Sequence, residues 1–102
     1  MIVYISGSIT KNPNYKRDFK RGEVKMRNAH FTPVNPVKVM PVGLKSHDDY
    51  MRISLAWVEA CDAIFLLSGW TTSEGAVKEY QHAKWKGKAI LFEDGAEEGA
   101  DL

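Results

Sequence analysis

A three-layer α/β domain on a small four-stranded parallel sheet is the fold this chain predicts, and three observations carry the prediction. Four strand-like runs are spaced along it: Ile2-Val3-Tyr4-Ile5, His30 to Pro36, Ala63-Ile64-Phe65-Leu66-Leu67 and Ala89-Ile90-Leu91-Phe92. Stretches of helical period separate them. A length of 102 residues leaves room for one core and no second domain.

Each element has a local cause. Ile2 to Ile5 is β-branched and aromatic, and Ser6-Gly7-Ser8 ends it in a turn. From Asn14 onward Tyr15, Phe19, Gly22, Met26 and Ala29 recur at steps of three and four among charged residues, which predicts an amphipathic surface helix. The second strand is brief and suits an edge, because Asn35-Pro36 cuts it off. Val37 to His47 holds Pro41 and Gly43 without a clear period and reads as a loop, either covering a ligand or merely connecting. Asp48 and Asp49 open a second helix with two apolar stripes, Met51, Leu55 and Val58 beside Tyr50, Ile53 and Trp57. Ala63 to Leu67, stopped by Ser68-Gly69-Trp70, is apolar enough for a central strand covered on both faces. A third helix is expected from about Ser73 to Lys86, with Thr71 or Thr72 as cap, Thr71-x-x-Glu74 as a capping box and Gly87 as its stop. After the last strand, residues 93–102 read as an acidic tail that frays, leaving 1–92 as the domain. Strand and helix in strict alternation give a Rossmann/flavodoxin-like sheet, whose ligands lie beyond the C-terminal strand ends.

Composition narrows the function classes. Hydrophobic residues make up 44% and charged residues 26%, as in a soluble globular protein. Fourteen basic against thirteen acidic side chains leave a net charge of +1, too balanced for a grip on a nucleic acid polymer. With no basic leader at Met1 to Ile5 and no run long enough for a bilayer, the expectation is a cytoplasmic protein without membrane contact. The single Cys61, set among apolar residues, reads as a buried structural thiol. His30, His47 and His82 have no metal-ligand spacing, so neither metal nor cofactor is expected.

The candidate chemistry centres on Glu79. Its neighbours one helical turn away are Gly75, Ala76, His82 and Ala83, mostly small, and a carboxylate on such a face is costly to bury without a polar partner. It is either a functional group or half of an interhelical ion pair; periodicity leaves both open. Glu74 and Lys78 are four apart and read as a solvated pair. Gly7-Ser8-Ile9-Thr10 directly after a strand offers backbone N–H groups and hydroxyls to a phosphate or sugar, although a plain turn has the same composition. Gly69-Trp70 offers a stacking face for a base, or else core packing.

Taken together, Tyr4-Ile5-Ser6-Gly7-Ser8-Ile9, Asn35-Pro36, Cys61-Asp62-Ala63-Ile64 and Gly69-Trp70-x-x-Ser73-x-Gly75-Ala76-x-x-Glu79-x-x-x-Ala83 resemble the nucleoside 2-deoxyribosyltransferase-like superfamily, in particular a small phage and bacterial, DUF4406-like branch. The resemblance runs to Phe92, and the opening Gly-Ser-Ile is also similar to the deoxynucleoside 5′-monophosphate N-hydrolases. It implies that Glu79 attacks C1′ of a deoxyribose as the nucleophile, suiting the oxocarbenium-like transition state of glycosidic cleavage. It further implies a small-molecule nucleoside or nucleotide held by Gly7, Ser8, Ile9, Asn35, Ser54, Gly69, Trp70, Ser73 and Gly75, with Gly75 and Ala76 small so that the carboxylate stays accessible.

The chain departs from the family pattern at Ser54, where relatives often carry an aspartate eight residues before the aspartate of the Cys-Asp motif. Protonation of the leaving base then lacks an obvious agent; Asp48, Asp49 or a residue of a second subunit are the substitutes to consider. The resemblance also implies a homo-oligomer, as do a small sheet and an exposed Trp70. Two functions follow: cleavage or transfer of an N-glycosidic bond, favoured by Glu79, and a nucleotide-binding module without turnover, favoured by Ser54.

Overall fold

Alternation along the first strand sorts the molecule into its layers. Within β1 (Ile2–Ser6), Val3 and Ile5 pack against Phe19 and Met26, whereas Tyr4 joins Val58, Trp70, Ala76 and Tyr80 on the other side. One side is covered by α1 (Tyr15–Asn28) and the other by α3 (His47–Ala60) and α4 (Glu74–Trp85), as the three-layer expectation requires. The structure, a computed structural model, describes residues 1–94.

The sheet is wholly parallel in the order β2-β1-β3-β4, with β2 at Thr32–Val34, β3 at Ala63–Leu66 and β4 at Ala89–Phe92. Tyr4 is in register with Val34 on one side and Ile64 on the other. The chain order reverses between β1 and β3, so the crevice beyond their C-terminal ends is the topological switch point where such sheets take ligands. All of β3 is buried, as its apolar composition predicts, and the brief β2 is an edge. Gly22 lets α1 settle closely on the sheet, since a Cβ there would stand 2.7 Å from Leu67 Cδ2 and 3.2 Å from Ile5 Cγ2.

Three local expectations change. The segment Val37 to His47 is not all loop: Pro36–Val39 forms the short α2, begun by the Asn35 side chain accepting from Val37 N at 3.0 Å. The cap of α4 is Ser73, whose Oγ accepts from Ala76 N, because Trp70–Thr72 is spent on a 3₁₀ turn and Thr71 falls outside the helix start. Of the stretch expected to fray, Glu93 and Asp94 are tied down and 95–102 lie outside the described residues. Glu93 takes two hydrogen bonds from Arg21 (2.7 and 2.9 Å), one from Lys25 and one from Ser68 N (2.8 Å), joining the ends of β3 and β4 to α1.

A second buried carboxylate fastens α1 on its other flank. Glu23 is 2% exposed and accepts from Lys38 (2.9 Å), Asn35 (3.1 Å), Arg27 (3.1 Å) and Lys20 (3.4 Å). The Lys38 ammonium, with Asn35, Arg27 and Lys20, holds its carboxyl down to about 2 against the opposing effect of burial. A folded-state value below the unfolded one means stability present above the ordinary carboxylate range and lost as pH falls towards 2. Glu93, also held to about 2 chiefly by Arg21, titrates over the same window. Urea midpoints measured from pH 6 down to 2 should therefore fall steeply for the wild type and less steeply for Glu23→Gln.

Candidate active site

At the switch point lies a cleft of about 840 Å³. Its walls are the turn after β1 (Gly7, Ile9, Thr10, Lys11), the segment from Leu44 through His47 with Tyr50, and the start of α4 with Thr72, Ser73, Gly75 and Glu79. The turn after β1 is braced by Asn12, whose N–H donates to the Ile9 carbonyl (3.2 Å) and whose Nδ2 donates to the Ser8 carbonyl (3.0 Å). Lys11 there adopts a left-handed φ of 65°, an uncommon backbone for a side chain with a Cβ. The amides of Gly7, Ser8, Ile9 and Thr10 carry no backbone partner among the described residues, which leaves a row of donors on that side of the cleft. Lys11 and Lys45 line the same space with no ion pair among the described residues.

Glu79 is 4% exposed, on the face of α4 that packs with Ala76 and Ala83 towards the sheet. The strand beneath supplies its partners. Ser6 Oγ donates to Oε1 at 2.6 Å and the Tyr4 hydroxyl donates to Oε2 at 3.0 Å. These two residues are two apart in β1 and so share a face, which is how one strand brings two hydroxyls to one carboxylate. Burial raises the carboxyl above its ordinary range, and the hydroxyls of Ser6, Ser54 and Tyr4 oppose that rise. The ion pair considered for Glu79 is not there among the described residues: its neighbours are neutral donors. Burial and the facing Glu79 charge also push Tyr4 and Tyr50 well above the ordinary phenol range, so both stay protonated and act as donors.

Ser54 lies behind this carboxylate, fully buried, with its Oγ donating to the Met51 carbonyl at 3.2 Å. One hydroxyl has one proton, so Ser54 serves either the Met51 carbonyl or the Glu79 carboxylate at a time. Of the substitutes considered on this chain, neither Asp48 nor Asp49 lines the cleft, and Asp49 is engaged by Arg52. Glu74 is exposed and pairs with Lys78 at 3.2 Å, as its spacing predicts.

The expected site residues divide. Gly7, Ile9, Ser73, Gly75 and Glu79 meet at the cleft. Ser8 instead turns its hydroxyl to the Thr10 carbonyl, and Asn35 is spent on Glu23 and on starting α2. Gly69, at φ 82°, makes the left-handed turn that folds Trp70 back into the core. Trp70 is 6% exposed with its ring centroid 4.8 Å from that of Tyr80, so it offers no stacking face, and the exposed tryptophan is Trp85, at 76%. Cys61 is buried and burial pushes its thiol up to about 11, the inert thiol its apolar neighbours predict. Among the described residues no cluster of His, Cys, Asp and Glu is arranged to hold a metal ion, and no helix is long and apolar enough to cross a membrane.

Sequence reasoning missed Tyr4, Ser6, His47 and Tyr50. A signal existed for the first two, since Tyr4 and Ser6 are the polar-tipped positions of an otherwise aliphatic strand and alternate with Val3 and Ile5. His47 and Tyr50 had none, because what brings them to the cleft is how α3 packs beside α4.

Comparison with known proteins bears on the fold and the family. No curated protein matches the chain. Among solved structures, the CMP N-glycosidase BcmB of Clostridium botulinum matches at a TM-score of 0.63 and 16% identity, over 90% of this chain and 70% of its own. At that identity the likeness is one of fold: a four-stranded parallel sheet flanked by helices. The family described as a domain of unknown function (DUF4406) matches residues 1–92, and the chain belongs to that family.

Proposed function

We propose that the protein cleaves or transfers the N-glycosidic bond of a deoxynucleoside or deoxynucleoside 5′-monophosphate, with Glu79 as the nucleophile. The observation that carries the reading is a carboxylate at the wall of the cleft, buried and held by Tyr4 and Ser6. Two neutral donors orient its oxygens yet leave it the charge needed beneath an anomeric carbon that turns positive in the transition state. In this reading the free amides from Gly7 to Thr10, the start of α4 at Ser73 and the cations Lys11 and Lys45 seat the sugar or its 5′-phosphate. The solved neighbour's name, a CMP N-glycosidase, points to the same bond class. The reading includes a homo-oligomer at work in the cytoplasm.

One observation favours a nucleotide-binding module without turnover: position 54 is a serine, and the other carboxylate lining the cleft among the described residues, Glu74, is exposed and paired with Lys78. Chromatography separates the two. Purified protein is incubated with the common deoxynucleosides, their monophosphates and the ribonucleotide counterparts, with and without an acceptor base. Release of free base from at least one substrate supports the glycosidase, and a new nucleoside appearing only with acceptor identifies transfer. Nucleotide binding by calorimetry with no base released across the panel replaces it by the binding module.

A further inference from the structure

If Glu79 attacks C1′, the departing base must be met by a proton donor on the cleft side. Position 54, where a carboxylate would do so, is a serine. The other ionisable groups on the cleft wall are Lys11, Lys45, His47, Tyr50 and Glu74. Tyr50 is held protonated by burial and by the charge of Glu79, which makes it a hydrogen-bond donor but a poor acid. Glu74 points to solvent and pairs with Lys78. An ammonium releases its proton only well above neutrality. Imidazole is the side chain that exchanges a proton near neutral pH.

His47 is also well placed. It is the first residue of α3, exposed, and its ring edge faces α4: Cε1 is 3.5 Å from where a Cβ on Gly75 would stand. Gly75 is one helical turn before Glu79, so imidazole and carboxylate border the same stretch of the cleft wall. Glycine at position 75 keeps that approach open. A methyl there would sit in ordinary contact with His47 and with Met51 Sδ (3.4 Å), and a branched side chain would displace the ring. The charged groups around His47 are Lys11 and Lys45 on the cleft, Glu74 and Glu79 on α4, and Asp48 and Asp49 on its own helix. Among the described residues no carboxylate forms an ion pair with it.

We propose that His47 is the general acid for the leaving base, an inference that rests on the glycosidase reading above. As a Glu79 oxygen bonds to C1′, the C1′–N bond breaks and its electron pair stays on the base. Protonated His47 gives its proton to the base, which leaves neutral. The imidazole, now neutral, then takes a proton from the water that attacks C1′ of the glycosyl ester, freeing Glu79 as a carboxylate and restoring His47.

The test pairs natural substrates with analogues whose bases need less help to leave: dGMP with 7-methyl-dGMP, and dUMP with 5-fluoro-dUMP. His47→Gln, with unchanged thermal melting, should lower kcat/KM for the natural member of a working pair by about 10²–10⁴-fold. The activated member should change by less than about threefold, and the basic limb of the natural substrate's pH profile should disappear. Equal losses on both members overturn the proposal in favour of a binding or packing role, and no loss on either overturns it outright, while the glycosidase reading survives both results. If the wild type releases no base even from the activated analogues, the glycosidase reading itself falls and takes this proposal with it.

Discussion

Glu79→Gln is expected to abolish base release while leaving the fold at least as stable as the wild type at neutral pH. Gln preserves the shape between Tyr4 and Ser6 but removes the charge that bonds to C1′. Removing a nucleophile of this kind lowers turnover by about 10⁴-fold or more. The stability half of the result follows from burial. Burial raises the carboxyl of Glu79 in the folded state, so the fold binds its proton more tightly than the unfolded chain does, and wild-type stability declines as pH rises through that raised value. The amide has no charge to desolvate and lacks this decline. Parallel chemical melts at pH 5 and pH 8 should show it as a pH-dependent gap between the two proteins. Glu74→Ala, on the exposed Lys78 pair, should change neither base release nor stability by more than a small factor.

Trp70→Ala is expected to act on the fold. Its ring packs against Tyr80 at 4.8 Å and Phe92 at 6.1 Å, bracing α4 against β4 at the very end of the sheet that shapes the cleft. Truncating a buried aromatic of this size costs about 3–5 kcal/mol. That is a large share of the ~5–15 kcal/mol that keeps a domain folded, and calorimetry should show it as a fall in Tm on the order of 20 °C. Trp70→Phe should recover most of the loss and retain base release. A Phe variant that melts like the wild type yet loses substrate affinity would instead restore Trp70 to the stacking role its position first suggested.

The fate of Trp70 shows where local reading of this sequence stops. Strands and helices were legible because burial imposes a period: Val3 and Ile5 against Tyr4 and Ser6 in β1, and Ala76, Glu79 and Ala83 along α4. Glu79 stood out for the same reason, as a charge where the period calls for a small or apolar residue. Whether Trp70 turned inward depended on the left-handed step at Gly69, and a glycine permits several directions without declaring one. The α4 cap moved from Thr71 to Ser73 because hydroxyls at 71, 72 and 73 compete and the 3₁₀ turn consumed the first two. Glu93 read as part of a polar tail since its principal partner, Arg21, is 72 residues away. His47 belongs to the same class: its position is set by the contact between α3 and α4, and no pattern within either helix records it.

Whether Glu79 bonds to the sugar can be read from the mass of the intact protein. A 2′-deoxy-2′-fluoroarabino nucleotide carrying a base that the enzyme releases serves as the probe, because fluorine at C2′ disfavours the oxocarbenium-like transition states and slows breakdown of the ester. A nucleophilic Glu79 gives a mass increase equal to the fluorinated sugar, or sugar phosphate, located by peptide mapping to Glu79 and absent from Glu79→Gln. Base released from the probe in several-fold excess over enzyme with no adduct, or an adduct on any other residue, would contradict it.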